Sequence, residues 1–104
     1  MSIKVRYIYS ACVVMETEDV SVLCDPWFSG GGYDGTWYFY PIIANPIDAC
    51  GPADLIYVSH VHTDHYDPVF LRQYLARFPE SKIIIADFKS NVLAAKMRKD
   101  GIPF

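Results

Sequence analysis

All three histidines of this chain fall within six consecutive residues, His60-Val61-His62-Thr63-Asp64-His65. The run follows directly on the apolar segment Asp54 to Ser59 (Asp-Leu-Ile-Tyr-Val-Ser), which reads as a short buried strand. A fold for this chain must therefore deliver one strand into a loop that carries all of its imidazoles. In an extended segment leaving the strand, residues 60, 62 and 64 point the same way, and a turn at Asp64-His65 brings the third ring round to them. Imidazole nitrogen and carboxylate oxygen suit a divalent metal, with Zn²⁺ the first expectation and Fe²⁺ or Mn²⁺ served by the same donors. His60, His62, Asp64 and His65 would crowd a single tetrahedral ion. The run is therefore expected to serve one or two ions, His60 with His62 on one and Asp64 with His65 on the other. The expected chemistry is metal-assisted hydrolysis, with Asp64 as the catalytic residue that orients a metal-bound hydroxide or carries its proton. The plainer alternative is a loop in which His60 and His65 bond backbone groups and Asp64 caps a turn.

The rest of the chain supplies a frame for that loop. Ile3, Val5, Tyr7 and Tyr9 share one face of a period-two pattern, Ala11 to Met15 continues as a second strand, and Glu16 to Asp19 marks a hairpin turn. Val20 to Cys24 is a third strand, closed by Asp25-Pro26. From Trp27 to Pro52 the pattern dissolves into glycines, prolines and an aromatic cluster; a loop this long is usually functional or disordered, and its aromatic content favours the first. Asp67-Pro68 gives an N-cap and first-turn proline, and Val69, Phe70, Tyr74, Leu75 and Phe78 recur at helical spacing. Lys82 to Ala86 reads as another strand, and Ser90 or Asn91 caps a second helix that ends at Gly101. Ile102-Pro103-Phe104 looks like the start of a further strand. An antiparallel meander followed by β/α units is expected, an α/β chain with α+β character.

Within this frame Asp25 ends a strand near the histidine loop, where it is expected to orient a ligand histidine or to bind backbone N–H groups. Trp27, Trp37 and Tyr38 are candidates for a substrate pocket, with packing of the long loop as the alternative. Cys12, Cys24 and Cys50 have no Cys-x-x-Cys spacing and read as small core hydrophobes in a reducing, cytoplasmic setting. Nine Lys and Arg against twelve Asp and Glu, with no basic run, argue against a nucleic-acid partner. No stretch has the length and apolarity of an integral membrane segment.

The histidine run matches the His-x-His-x-Asp-His signature of the metallo-β-lactamase superfamily position by position, at His60, His62, Asp64 and His65. The flanks resemble that superfamily as well, with Ala53 to Ser59 before the run and Asp67 opening a helix after it. Asp25-Pro26-Trp27-Phe28-Ser29-Gly30 is similar to the branch that holds ascorbate-phosphate lactonase, the N-acyl-phosphatidylethanolamine phospholipase D group and the hydrolase-like domain of CMP-N-acetylneuraminate hydroxylase. The iron–sulfur module of that hydroxylase is expected to have no counterpart here.

The resemblance implies a four-layer αββα sandwich of two similar halves with the site between them, and a small-molecule ester, lactone or phosphodiester as substrate. It also implies further ligands, a histidine, a bridging aspartate and a last histidine, C-terminal to everything present. Residues 1–104 are accordingly expected to form a single partial domain, the N-terminal half of that sandwich truncated at its C-terminus, with an incomplete site. A hydrophobic fraction of 52% is high for 104 residues, which fits a half-sandwich with one uncovered apolar face and suggests a homo-oligomer through that face. Two alternatives follow: a non-catalytic half-domain with a partial metal site that self-associates, and a small enzyme whose site is assembled between two chains.

Overall fold

The computed structural model describes residues 2–29 and 42–104. Trp37 and Tyr38, expected to line a substrate pocket, lie outside the described residues, as does the glycine run 30–32.

Five strands, β1 (Lys4–Tyr9), β2 (Cys12–Glu16), β3 (Ser21–Cys24), β4 (Leu55–Val58) and β5 (Lys82–Ile85), form one sheet in chain order. β1 to β3 pair antiparallel, whereas β4 joins β3, and β5 joins β4, in parallel. The switch follows from connection length, since a tight turn serves the hairpins and the parallel joins need crossovers. The turn between β2 and β3 closes through Thr17 N–H to Val20 C=O at 2.9 Å, with Thr17 Oγ1 accepting from the amides of Asp19 and Val20.

Register places Arg6, Val14, Leu23, Ile56 and Ile83 in one cross-strand row, and paired residues share a face. The apolar members of this row are buried in one core with residues from α1 (Pro46–Cys50), α2 (Pro68–Arg77) and α3 (Val92–Asp100). Phe70, Leu71 and Tyr74 come from α2 and Leu93 and Met97 from α3. Each side chain of this kind, fully buried, contributes roughly 1.5–3 kcal/mol.

The opposite face carries the rows Val5, Met15, Val22, Leu55 and Tyr7, Val13, Cys24, Tyr57, Ile84. None of these residues is buried, and Val5 is 60%, Tyr7 69% and Ile84 42% exposed. Of the β1 stripe read from the sequence, Ile3, Val5 and Tyr7 are exposed, whereas the register shift between Tyr7 and Tyr9 pairs Tyr9 with buried Cys12 on the helix-covered face, so the period-two pattern does not hold through Tyr9.

Local chemistry accounts for the helix ends. Asp67 caps α2 by accepting from Phe70 N–H at 2.9 Å, and Asn91 caps α3 by accepting from Ala94 N–H at 3.0 Å. α3 ends on Gly101 in the left-handed region (φ 72°), and Ile102 N–H bonds Met97 C=O at 2.9 Å. Ile102 is buried there and packs at the end of this helix, and residues 102–104, expected from the sequence to enter a further strand, carry no strand assignment. The five-residue α1 interrupts the stretch expected to be irregular. It has no side-chain N-cap, but Arg6 donates to the carbonyls of Ala49 at 3.1 Å and Cys50 at 2.8 Å. A guanidinium over the last turn neutralises the carbonyl ends of a helix too short to hold itself.

Candidate functional site

The candidate residues gather where β3 and β4 end side by side. Asp25 follows β3 directly, and its N–H donates to Tyr57 C=O at 2.9 Å, extending the parallel pairing by one residue. The chain turns sharply there, because Asp25 has φ 44°, in the left-handed region that few residues other than glycine adopt. Asp25, Pro26 and Trp27 are all buried.

The segment after Asp25 is tied down by α2. Asp67 Oδ2 accepts from the amides of Phe28 at 2.8 Å and Ser29 at 2.7 Å, while its Oδ1 caps the helix. The Phe28 ring packs on Phe70 with centroids 4.9 Å apart. The sequence reading of Asp67 as an N-cap agrees with this geometry, and the clamp on residues 28 and 29 is an additional role. Trp27, a candidate for the substrate pocket, is 4% exposed and packed into the protein.

β4 delivers the chain to Ser59 and His60. Extended backbone was expected through residue 64; instead a turn begins at His62, whose carbonyl accepts from both His65 N–H and Tyr66 N–H at 2.9 Å. The turn folds His65 back onto His60, with ring centroids 4.0 Å apart, and the His62 ring lies 4.6 Å from that of His60. Asp64 is buried, His62 is exposed, and His60 and His65 are intermediate. The Asp64 carboxylate lies 3.6 Å from His65 Nε2.

Asp25 anchors this cluster. Its Oδ2 lies 2.9 Å from His65 Nδ1, and the same carboxylate accepts from Ser59 N–H at 2.7 Å and from Ser59 Oγ–H at 2.6 Å. Ser59 Oγ in turn lies 2.7 Å from His60 Nδ1. Of the two expectations for Asp25, an orienter of histidine and a binder of backbone amides, the structure contains both contacts. Sequence reasoning passed over Ser59, although a hydroxyl between a strand end and a histidine was a signal available to it.

The electrostatics favour the neutral form of His60. Desolvation, with the neighbouring His65 and His62, holds His60 below the usual imidazole range, so it is neutral at physiological pH and has a lone pair to offer. The cysteines behave otherwise. The Cys12 thiol is held far above its ordinary range by its hydrogen bond with Cys50 and by burial, and burial beside Asp25 raises Cys24. Both thiols stay protonated, but only Cys12, with Cys50, is a core residue; Cys24, expected from the sequence to be one as well, is half-buried on the sheet face away from the helices.

The donors fit a divalent cation in kind, and one pair fits in spacing. Two ligands of a tetrahedral zinc ion sit roughly 3.3 Å apart, given metal–ligand distances of about 2.0–2.1 Å. The 3.6 Å between Asp64 Oδ2 and His65 Nε2 is close to that edge. Among the described residues no group of three or more His, Cys, Asp or Glu side chains is gathered so as to hold an ion.

Residues 4–100 match the family described as the Beta-lactamase superfamily domain. Similar proteins include a protein of Mycolicibacterium smegmatis named as a Rieske 2Fe-2S iron-sulfur protein, 34% identical over 85% of this chain and 17% of the relative. The cytidine monophosphate-N-acetylneuraminic acid hydroxylase of Asterias rubens is 29% identical over 96% of this chain and 15% of its own length. The hydroxylase of Mus musculus is 30% identical over 82% of this chain and again 15% of its own length. The chain therefore spans about one sixth of the curated relatives it matches. No helix among the described residues is long and apolar enough to cross a membrane.

Proposed function

The chain belongs to the Beta-lactamase superfamily domain family, and from that membership we propose that residues 60–65 are the metal-binding turn of a hydrolase acting on an ester, lactone or phosphodiester. The observation that carries the proposal is the clustering of His60, His62 and His65 beside buried Asp64 at the end of β4. His60, His62, Asp64 and His65 would hold the cation, with Zn²⁺ proposed first and Fe²⁺ or Mn²⁺ accepted by the same donors. A divalent cation held there supplies acidification of water and neutralisation of developing negative charge.

The chain's own residues do the rest. Asp25 and Ser59 hold the rings of His65 and His60, and the carboxylate of Asp64 is buried against His65, where it can accept a proton from water. Asp67 pins residues 28 and 29, which keeps Asp25 at its post. The test is an assay of the purified chain, loaded with Zn²⁺ or Mn²⁺, against bis(p-nitrophenyl) phosphate and a simple lactone. Turnover that is lost in Asp64→Asn supports the proposal. Metal uptake without turnover overturns it for this chain.

The open sheet face favours a second reading, a non-catalytic half-domain that associates with another copy of itself. Val5, Tyr7, Met15 and Ile84 are all at least 40% exposed on that face, and contiguous apolar surface of this kind marks an interaction site.

A further inference from the structure

We infer that Ser59 is a positioning residue, whose hydroxyl works with Asp25 to fix His60 and His65 in the same tautomer, with the proton on Nδ1 and the lone pair on Nε2.

A carboxylate only accepts, so the 2.9 Å contact between Asp25 Oδ2 and His65 Nδ1 requires a proton on that nitrogen. The Ser59 hydroxyl has one proton, and it is given to Asp25 Oδ2 at 2.6 Å. Toward His60 Nδ1, 2.7 Å away, Oγ then presents a lone pair, and His60 Nδ1 must donate. The reverse arrangement, with the hydroxyl pointing at His60, would set two acceptors face to face between Ser59 Oγ and Asp25. The Ser59 backbone N–H to Asp25 Oδ1 bond, at 2.7 Å, fixes the serine against the carboxylate and leaves its side chain little freedom.

One carboxylate therefore sets two imidazoles, His65 directly and His60 through a hydroxyl. Its placement depends on the left-handed backbone at Asp25, φ 44°, a conformation retained at some cost and of the kind found at functional sites. The consequence for metal binding rests on the function proposed above: with both Nδ1 atoms committed, Nε2 is the nitrogen each ring offers to a cation. Partners of this kind typically alter metal affinity 10–100-fold when removed.

The tautomers can be read without any metal, from long-range ¹H–¹⁵N correlation spectra of the imidazoles in the chelated 104-residue chain, alkaline of the histidine titration range. The expected spectrum shows protonated Nδ1 and unprotonated Nε2 for both His60 and His65. Ser59→Ala is expected to shift His60 toward the Nε2-protonated form and leave His65 unchanged, and Ser59→Thr to restore the wild-type pattern. In calorimetric titrations with Zn²⁺, Ser59→Ala is expected to bind about tenfold more weakly and Ser59→Thr to bind as the wild type does. A wild-type His60 protonated on Nε2 overturns the inference, as does an unchanged His60 in a Ser59→Ala chain that keeps the wild-type amide spectrum. The expected tautomers in a chain that takes up no Zn²⁺ uphold the positioning role and overturn the metal reading of the site.

Discussion

Asp25 Oδ2 and His65 Nδ1 stand 2.9 Å apart although 40 residues separate them in the chain. The contact joins the end of an antiparallel meander to the turn after a parallel strand, so it can form only when β3 and β4 are in register. It makes the candidate site a product of the sheet and not of a local motif alone. Asp25→Ala is therefore expected to lower Zn²⁺ affinity 10–100-fold, read by calorimetric titration. A variant that keeps its far-UV circular dichroism and binds Zn²⁺ as the wild type does would refute this.

Asp67 carries more than a helix cap, since its buried carboxylate accepts from the amides of Phe28, Ser29 and Phe70. Loss of a cap costs about 1 kcal/mol, and each amide left unsatisfied in a buried setting adds about 1–3 kcal/mol. Asp67→Ala is expected to lower the unfolding free energy by about 3 kcal/mol in urea titrations. A loss no larger than that of an ordinary cap would mean that the clamp on residues 28 and 29 contributes nothing.

Much of the fold was legible because its signals are local. The hairpin turn at Thr17, Asp67-Pro68, Asn91 and Gly101 each act within a few residues, and the structure puts helices and strands where they indicate. α1 was not legible, because its last turn is held by Arg6 from β1, more than 40 residues away. The direction of the β1 stripe was hidden too, since alternation defines two faces without saying which one the helices cover. At the site, His60, His62, Asp64 and His65 announced themselves by clustering. Ser59 did not, as its role depends on a carboxylate brought from β3.

The pH dependence of stability has one identifiable source at α3. Asp100 accepts from Lys96 Nζ at 2.7 Å and from Tyr66 O–H at 2.8 Å, and these bonds hold its carboxyl below the usual value of 3.8. A carboxylate with a lowered folded-state pKa contributes stability above its unfolded value, and that contribution is lost as pH falls through the folded value. Asp100→Asn is expected to be less stable than the wild type at neutral pH, with the difference shrinking below about pH 4. Thermal unfolding followed across this range checks it, and a difference that stays constant with pH would contradict it.

The open sheet face gives a prediction about association. Tyr7→Lys with Ile84→Lys places two charges among exposed apolar neighbours without touching the buried row. The double variant is expected to sediment as a monomer at concentrations where the wild type associates, and surface changes of this kind usually alter stability by less than about 0.5 kcal/mol per site. Equal sedimentation of the two proteins would remove the reading of this face as an interface between copies.

Calorimetric titration of the chelated chain with Zn²⁺, run beside a His60→Ala, His65→Ala double variant, bears on the function with the fewest intervening assumptions. Saturable binding by the wild type and its loss in the double variant is the expected result, because the proposed site draws nitrogen donors from the two rings that contact Asp25 and Ser59. A wild-type chain that takes up no more Zn²⁺, Fe²⁺ or Mn²⁺ than the double variant would contradict a metal-binding role for residues 60–65.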